Sequence, residues 1–294
     1  MDDHASSRGR DAAGGQRLMI GGGLLLATLG VFLQQAGQPP LAAVWFRCVF
    51  GALALLAWGA WSGGLGRLRL APRALFAALA AGLLVVLNWT LFFAAIERCS
   101  IGVATVVFHV QPLWVMGLAA LLLGEPVSRR QVAAAAVALV GLALASGLAG
   151  GMPHGEGYLL GLLLCLGGSL SYAGVTLIAH AMPGLNSFAL AWWQCVTGAL
   201  VLAWWPWNHG LPAFGPAWGW LAGLGVLHTG LAYVLLYAGM ARLPAGRVAV
   251  LQFVYPAGAV LVDWLVYGHA LDALQLLGLA LMGAALLSLK RQHG

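Results

Sequence analysis

Residues 45–53 read Trp-Phe-Arg-Cys-Val-Phe-Gly-Ala-Leu, and residues 192–200 read Trp-Trp-Gln-Cys-Val-Thr-Gly-Ala-Leu. Six of the nine positions are identical. Apolar sequence produces matches of Ala and Leu by chance, whereas matches of Trp and Cys are much harder to obtain. The two stretches therefore predict that the chain contains two copies of one structural unit.

A second match supports the duplication at a constant offset of 144 residues. The matched residues are of types that rarely coincide by chance, among them Arg, Pro and Gln. They are Arg98, Gly102, Val106, Val110, Pro112, Gly124 and Gln131 in the first copy, and Arg242, Gly246, Val250, Val254, Pro256, Gly268 and Gln275 in the second.

The composition places both copies in a membrane. Of the 294 residues, 62% are hydrophobic and 7% are charged, whereas soluble domains carry roughly 25% charged residues. A soluble core of this length has no room for so much apolar surface. We therefore expect an all-α polytopic membrane protein whose solvent is the bilayer.

A spanning helix needs roughly 20 mostly apolar residues. Breaks at polar residues and at Gly/Pro clusters divide the chain into ten candidate spans. They are residues 17–36, 40–61, 73–96, 100–123, 131–149, 156–180, 186–207, 216–240, 246–268 and 271–289.

Basic residues concentrate in cytoplasmic loops of membrane proteins, which sets the orientation. With the N-terminus in the cytoplasm, twelve basic residues lie inside and only Arg98 lies outside. The inside residues are Arg8, Arg10, Arg17, Arg67, Arg69, Arg73, Arg129, Arg130, Arg242, Arg247, Lys290 and Arg291. Both termini are predicted to be cytoplasmic. The net charge of +6 is thus a topology signal, and it does not indicate a nucleic-acid partner.

Five spans per copy is an odd number, so the second copy must enter the membrane upside down. Inverted repeats of this kind place a solute site near the midplane, between the halves. The predicted organisation is a tail at 1–16, a first repeat at 17–150, a second repeat at 151–289 and a tail at 290–294.

The motifs in both copies resemble those of the EamA family within the drug/metabolite transporter superfamily. The first copy carries Leu123-Gly124-Glu125-Pro126 together with Arg98, Gly102, Ala104, Pro112, Gln131 and Gly141. The second copy carries Arg242, Gly246, Val248, Pro256, Gln275 and Gly278. The chain departs from the family pattern at His269, where Glu is usual, and at Ala134, where Gly is usual.

Within this family the chain looks most like the YddG-type exporters of aromatic amino acids. The resemblance implies export by alternating access across a bacterial inner membrane, driven by a gradient without ATP. It also implies that spans 3, 4, 8 and 9 line the central path, with spans 1 and 6 contributing. No cofactor is expected, and the partners are a small solute and the bilayer, with a monomer favoured.

Polar residues inside a membrane are costly and usually face a cavity or a partner. The predicted substrate-binding residues are Asn88, His109, Gln111, Tyr172, Thr176, His228, Tyr233, Tyr237, Gln252 and Tyr255. Hydrogen bonds between helices are the alternative role for these side chains. Pro112 and Pro256 lie mid-span at equivalent positions, where each frees a backbone carbonyl, so we expect them to form kinks or hinges.

Arg47 is the one basic residue well inside a span, and Asp263 lies at comparable depth. Three roles remain open for Arg47: a charge pair with Asp263, a contact with a substrate carboxylate, or extension to the membrane surface. No carboxylate lies at mid-depth in a span, which favours transport that is not coupled to protons, although His109 and His228 are titratable alternatives.

Other functions are compatible with the sequence. The cargo of such a transporter could equally be drugs, nucleotide sugars or other metabolites. A multi-pass membrane enzyme is disfavoured because the chain has no HExxH motif and no paired carboxylates within a span. The four cysteines form no CxxC motif and no cluster with histidine, so no metal site is expected.

Overall fold

The computed structural model describes residues 2–96, 98–99, 101–146, 157–268 and 271–288. Within these ranges the chain is helical, with turns and short loops and without a strand. Parts of the predicted fourth, fifth, sixth and tenth spans lie outside the described residues, as do His269, Lys290 and Arg291. The prediction of an all-helical chain is confirmed.

Fifteen α-helices are described. They are α1 (Asp2–Ala27), α2 (Leu29–Ala36), α3 (Pro40–Trp61), α4 (Pro72–Ile96), α5 (Ile101–Phe108), α6 (Gln111–Leu123), α7 (Arg129–Ala145), α8 (Tyr158–Ala181), α9 (Ser187–Val201), α10 (Trp204–His209), α11 (Pro216–Gly223), α12 (Ala232–Met240), α13 (Ala245–Leu251), α14 (Val254–Tyr267) and α15 (Ala273–Ser288). A 3₁₀ turn covers Leu65–Leu68, and a π-helical segment covers Leu224–Leu231, between α11 and α12.

Within the described ranges, eight helical segments are long and apolar enough to cross a membrane. They are Asp11–Ala36, Pro40–Trp61, Pro72–Ile96, Val103–Leu123, Tyr158–Ala181, Ser187–His209, Pro216–Met240 and Ala245–Tyr267. Helices α7, with 17 residues, and α15, with 16 residues, are shorter, and they pack against each other.

The amino-terminal segment is helical. Helix α1 begins at Asp2 and continues into the first span. Farther along α1, Asp11 lies 3.6 Å from the side chain of Arg242, and both side chains are exposed.

Helices of the two sequence copies interleave. Helix α4 packs against α8, α3 packs against the π-helical segment and α9, and α1 packs against α12 and α14. Helix α6 packs against α8 and α13. Because each of these contacts joins the first half of the chain to the second, the halves share one helix bundle and enclose space between them.

Four breaks interrupt the described spans, one of them at residues 202–203 between α9 and α10. Helices α1 and α2 part at Thr28, which the sequence did not predict. Helices α5 and α6 part at residues 109–110, and α13 and α14 part at residues 252–253. The last two breaks lie just before Pro112 and Pro256, because a proline has no N–H and clashes with the preceding turn.

Matched residues of the two copies also end and begin helices. Gly124 ends α6 with φ 66°, and Gly268 ends α14 with φ 67°. This left-handed conformation favours glycine at a helix C-terminus. Gly124 and Gly268 thus end equivalent helices of the two copies, which explains why glycine occurs at both positions.

The matched glutamines begin the next helices. The backbone N–H of Gln131 donates to the Ser128 hydroxyl at 3.2 Å, and the Ser128 N–H donates to Gln131 Oε1 at 2.9 Å. Asp272 and Gln275 make the same reciprocal pair, at 2.8 and 3.0 Å. Such capping boxes satisfy donors that a helix start leaves unpaired.

The packing of α7 against α15 depends on Gly141 and Gly278. A Cβ atom at Gly278 would overlap the Gly141 carbonyl oxygen and the Ala145 backbone nitrogen. We therefore expect Gly278→Ala to destabilise the protein by about 1–3 kcal/mol, the usual cost of overpacking. The measurement is the thermal unfolding midpoint in detergent.

The control for this variant is Gly283→Ala on the same helix, where a Cβ atom would meet nothing within 4 Å. Its midpoint should stay at or slightly above that of the wild type. Equal midpoints for the two variants would show that α7 and α15 are not in close contact at Gly278.

Candidate functional site

A cavity of about 290 Å³ lies among the helices of both halves. Its lining comes from α1 to α6 on one side and from α8, α12, α13 and α14 on the other. The lining residues are Gly23, Leu26, Leu29, Gly30, Leu33, Arg47, Asn88, Trp89, Phe92, Phe93, Ile96, Thr105, Phe108, His109, Gln111, Tyr172, Tyr233, Leu236, Met240, Leu251, Gln252 and Tyr255.

Most of the residues named from the sequence lie together in this lining. They are Arg47, Asn88, His109, Gln111, Tyr172, Tyr233, Gln252 and Tyr255. Others of that set are not among the lining residues. They are Thr176, His228, Tyr237, Pro112, Pro256 and Asp263.

The helix breaks contribute directly to the cavity. His109 lies at the break between α5 and α6, and Gln252 lies at the break between α13 and α14. Irregular backbone at membrane depth is tolerated where it is enclosed by protein or lines a cavity. The two prolines thus act on the cavity wall through the residues that precede them.

Thr176 lies outside the cavity lining and is hydrogen-bonded to two glutamines of the lining. Its hydroxyl oxygen accepts from Gln111 Nε2 at 3.2 Å and from Gln252 Nε2 at 3.4 Å. The same hydroxyl donates to the Tyr172 carbonyl at 3.0 Å. Thr176 therefore orients the two amides, one from each half of the chain, without lining the cavity itself.

Asn88 connects α4 to α8. Its side-chain amide donates to the Gly168 carbonyl oxygen at 2.9 Å, and its side chain is 3% exposed. The two roles that the sequence left open for such residues, cavity lining and a bond between helices, therefore coexist in one side chain.

The π-helical segment lies in a span with several polar side chains. This segment carries Thr229 and leads into α12, on which Tyr233 and Tyr237 lie one turn apart. Tyr233 lines the cavity, whereas the Tyr237 hydroxyl donates to Gln194 Oε1 at 2.5 Å in the helix interface. Segments of π-helix are frequent at functional sites.

His228 bonds to the break in the first span. The Thr28 hydroxyl oxygen lies 2.9 Å from the Leu25 carbonyl oxygen and 2.8 Å from His228 Nε2, and His228 Nδ1 lies 3.3 Å from the Gly223 carbonyl oxygen. The ring of Phe32 packs edge-on against His228, with centroids 4.6 Å apart. His228 therefore stabilises an irregular junction of α1 and α2 and lies outside the cavity.

Arg47 is 4% exposed, and its partners are neutral. Its Nε donates to the Thr229 hydroxyl at 3.0 Å, and its guanidinium carbon lies 4.8 Å from the centroid of the Trp89 ring. Neither of these contacts is with Asp263, and the low exposure places the Arg47 side chain inside the protein.

A wall of aromatic rings shares the lining with Arg47, and the sequence-based prediction missed most of it. Phe92 and Phe108 pack edge-to-face with centroids 5.2 Å apart, and Phe108 contacts Tyr172 at 6.2 Å. The spacing of Asn88, Phe92 and Ile96, four residues apart on α4, was the available signal, because such residues share one helix face.

Glu125 lies outside the spans and connects several helix ends. Its carboxylate lies 2.5 Å from His180 Nε2 and accepts from the Ala245 N–H, at the start of α13, at 3.0 Å. His180 Nδ1 lies 3.0 Å from the Met240 carbonyl oxygen. Glu125 is therefore a helix cap and a contact between the two halves of the chain.

A bundle of apolar helices that encloses a solute-sized cavity at broken helices defines a multi-pass membrane transporter. Comparison with known proteins agrees. The model of the EamA-like transporter family matches residues 14–147 and matches again over residues 159–290. The chain belongs to the EamA-like transporter family, and it is a transporter rather than an enzyme.

Curated relatives carry transporter names without a cargo. The "Uncharacterized transporter YxxF" of Bacillus subtilis is 26% identical, over 92% of this chain and 88% of its own length. An "Uncharacterized transporter" of Archaeoglobus fulgidus is 27% identical, over 93% of this chain and 95% of its own. One crystal structure matches in fold with a TM-score of 0.84 at 21% identity, covering 96% and 99% of the two chains.

The pKa of Glu125 predicts how the stability of the protein depends on this carboxylate at different pH values. Partial burial opposes ionisation, but the hydrogen bonds from His180 and Ala245 outweigh it and lower the pKa below the ordinary 4.5. A depressed pKa stabilises the folded state above the unfolded-state value, and this stability is lost as the pH falls through the folded-state value. We therefore expect Glu125→Gln to lower the thermal midpoint at neutral pH, by an amount that shrinks below about pH 4.5.

Asp11→Asn is the matched control. It removes a carboxylate whose partner, Arg242, is exposed, and exposed pairs contribute little. A Glu125→Gln deficit that stays constant or grows on acidification would contradict the assigned role of the carboxylate.

Proposed function

We propose that the protein exports aromatic and other hydrophobic amino acids, and related small metabolites, across a bacterial inner membrane. The observation that carries the proposal is the cavity, in which aromatic rings adjoin a few polar groups and one buried guanidinium. Flat apolar side chains suit the rings, and the polar groups suit the backbone part of an amino acid. Pockets with mostly apolar walls and few polar groups are typical of small-molecule sites.

Cavity size supports a cargo of this class. About 290 Å³ lies at the lower end of the roughly 300–1,000 Å³ that is typical of pockets for drug-sized ligands. A nucleotide sugar is larger and carries two phosphates, for which the lining offers a single fixed positive charge. Multidrug transport remains the second candidate, favoured only by the extent of the aromatic wall.

We further propose ten spans arranged as two inverted repeats, with both termini cytoplasmic. The two family matches, the equivalent helix ends at Gly124 and Gly268, and the equivalent breaks before Pro112 and Pro256 support the repeat. Helices α7 and α15 are then the short fifth and tenth spans. The distribution of Arg and Lys supports the orientation.

Alternating access follows from this arrangement. One half rocks against the other around a fixed site, with the helix breaks next to Pro112 and Pro256 absorbing the change in direction. The lining contains no acidic residue among the described residues, which supports gradient-driven export without a carboxylate proton relay. ATP is not required in this mechanism.

Uptake into proteoliposomes tests the cargo. We expect radiolabelled Trp and Phe to enter faster than into protein-free liposomes, and Thr, methyl viologen and UDP-sugars to enter no faster. An imposed pH gradient should leave the rate of Phe uptake unchanged, because no carboxylate relay lines the cavity.

The matched variant for this assay is Leu29→Trp, which fills the cavity without altering a polar group. It should abolish uptake while the protein remains folded. Equal uptake of Trp and Phe with and without the protein, or faster uptake of methyl viologen than of Phe, would show that the proposed cargo is wrong.

A further inference from the structure

Arg47 is the only Asp, Glu, Lys or Arg in the described lining of the cavity. Its contacts are the Thr229 hydroxyl, the Trp89 ring and the Tyr233 hydroxyl, and each of these is neutral. Burial of a charge without an opposite charge is costly. A cation that is nevertheless kept at the wall of a cavity is typical of a subsite for an anionic ligand.

Arg47 keeps hydrogen-bond donors for a ligand, because a guanidinium carries five N–H groups. Its Nε–H donates to Thr229, one further hydrogen bond goes to the Tyr233 hydroxyl, and its central carbon lies over the Trp89 ring. A guanidinium uses its face for a ring and its edges for hydrogen bonds, so these contacts are compatible with an in-plane anion. The remaining N–H groups on the edge formed by the terminal nitrogens are the part that can bind a ligand in the cavity.

We propose that this edge of Arg47 binds the carboxylate of the cargo, so that the transporter selects molecules that combine a carboxylate with an apolar or aromatic body. Guanidinium and carboxylate match as two parallel hydrogen bonds. A single positive charge balances a single carboxylate, whereas a phosphate dianion would leave one negative charge without compensation in an apolar cavity. Amines that lack a carboxylate are repelled.

The orientation of the bound cargo follows from Trp89. This ring contacts Arg47 and lies in the same lining as Phe92 and Phe93, on the next turn of α4. A carboxylate on Arg47 therefore places an attached ring along the aromatic wall. The inference deepens the proposed function, since it rests on the cavity being the transport site.

The test uses three phenyl ligands that carry a carboxylate, an ammonium group, or both. Binding of 3-phenylpropionate, phenethylamine and phenylalanine to the purified wild-type protein is measured by isothermal titration calorimetry in detergent. We expect the carboxylate-bearing ligands to bind about tenfold or more tightly than phenethylamine, a typical value for a charge-assisted hydrogen-bonded contact.

Arg47→Gln then removes the charge. The residue at the matched position of the second copy is already Gln194, so glutamine is tolerated in this helix environment. We expect this variant to bind 3-phenylpropionate about thirtyfold more weakly, the lower end of the cost of truncating one member of a buried charge pair. Its binding of phenethylamine should be equal or tighter.

Gln194→Ala is the matched control, because Gln194 is buried but does not line the cavity. It should keep the wild-type preference for carboxylates. If Arg47→Gln fails to fold, the comparison of ligands on the wild type decides alone. Equal binding of phenethylamine and 3-phenylpropionate, or no binding of any carboxylate, would overturn the inference.

An aliphatic ligand, 4-methylpentanoate, separates this inference from the proposed function. If it binds in an Arg47-dependent way while Phe is not transported, the carboxylate subsite stands and the aromatic cargo is wrong. If Phe is transported but ligand binding ignores both the carboxylate and Arg47, the cargo stands and the subsite is wrong.

Discussion

Inside a bilayer, every backbone polar group must find its partner within the protein. This constraint determines where helices of the chain are allowed to break. Thr28 is supported by His228, and the breaks at residues 109–110 and 252–253 lie in the cavity wall. The π-helical segment carries Thr229, whose hydroxyl also accepts from the buried Arg47. Irregular backbone and polar side chains therefore occur together, and they surround one enclosed space.

Residues of both halves of the chain form the cavity, and hydrogen bonds between the halves hold its polar groups in place. Gln111 from the first half and Gln252 from the second donate to one hydroxyl, that of Thr176. Arg47 from the first half depends on Thr229 from the second. The alternating access proposed above would change these contacts, because each of them joins one half of the chain to the other.

Much of the fold could be predicted from residue types whose physical effect is local. Pro112 and Pro256 break a helix wherever they lie, and Gly124 and Gly268 end one. The π-helical segment and the break at Thr28 could not be predicted, because they depend on contacts between distant spans, such as Thr28 with His228. The polar residues of the candidate site could also be predicted, because polar side chains are rare inside a span. Phe92 and Phe108 could not, because in the sequence they look like ordinary membrane-facing side chains.

Accessibility of the cavity from each side of the membrane tests alternating access most directly. The four native cysteines are buried, so the unaltered protein is an unreactive control. Thr105→Cys places a thiol in the lining, and a membrane-impermeant thiol reagent is applied to right-side-out and to inverted vesicles. The account predicts labelling from both sides, with phenylalanine changing the two rates in opposite directions. Labelling from one side alone, whatever the cargo concentration, would contradict it.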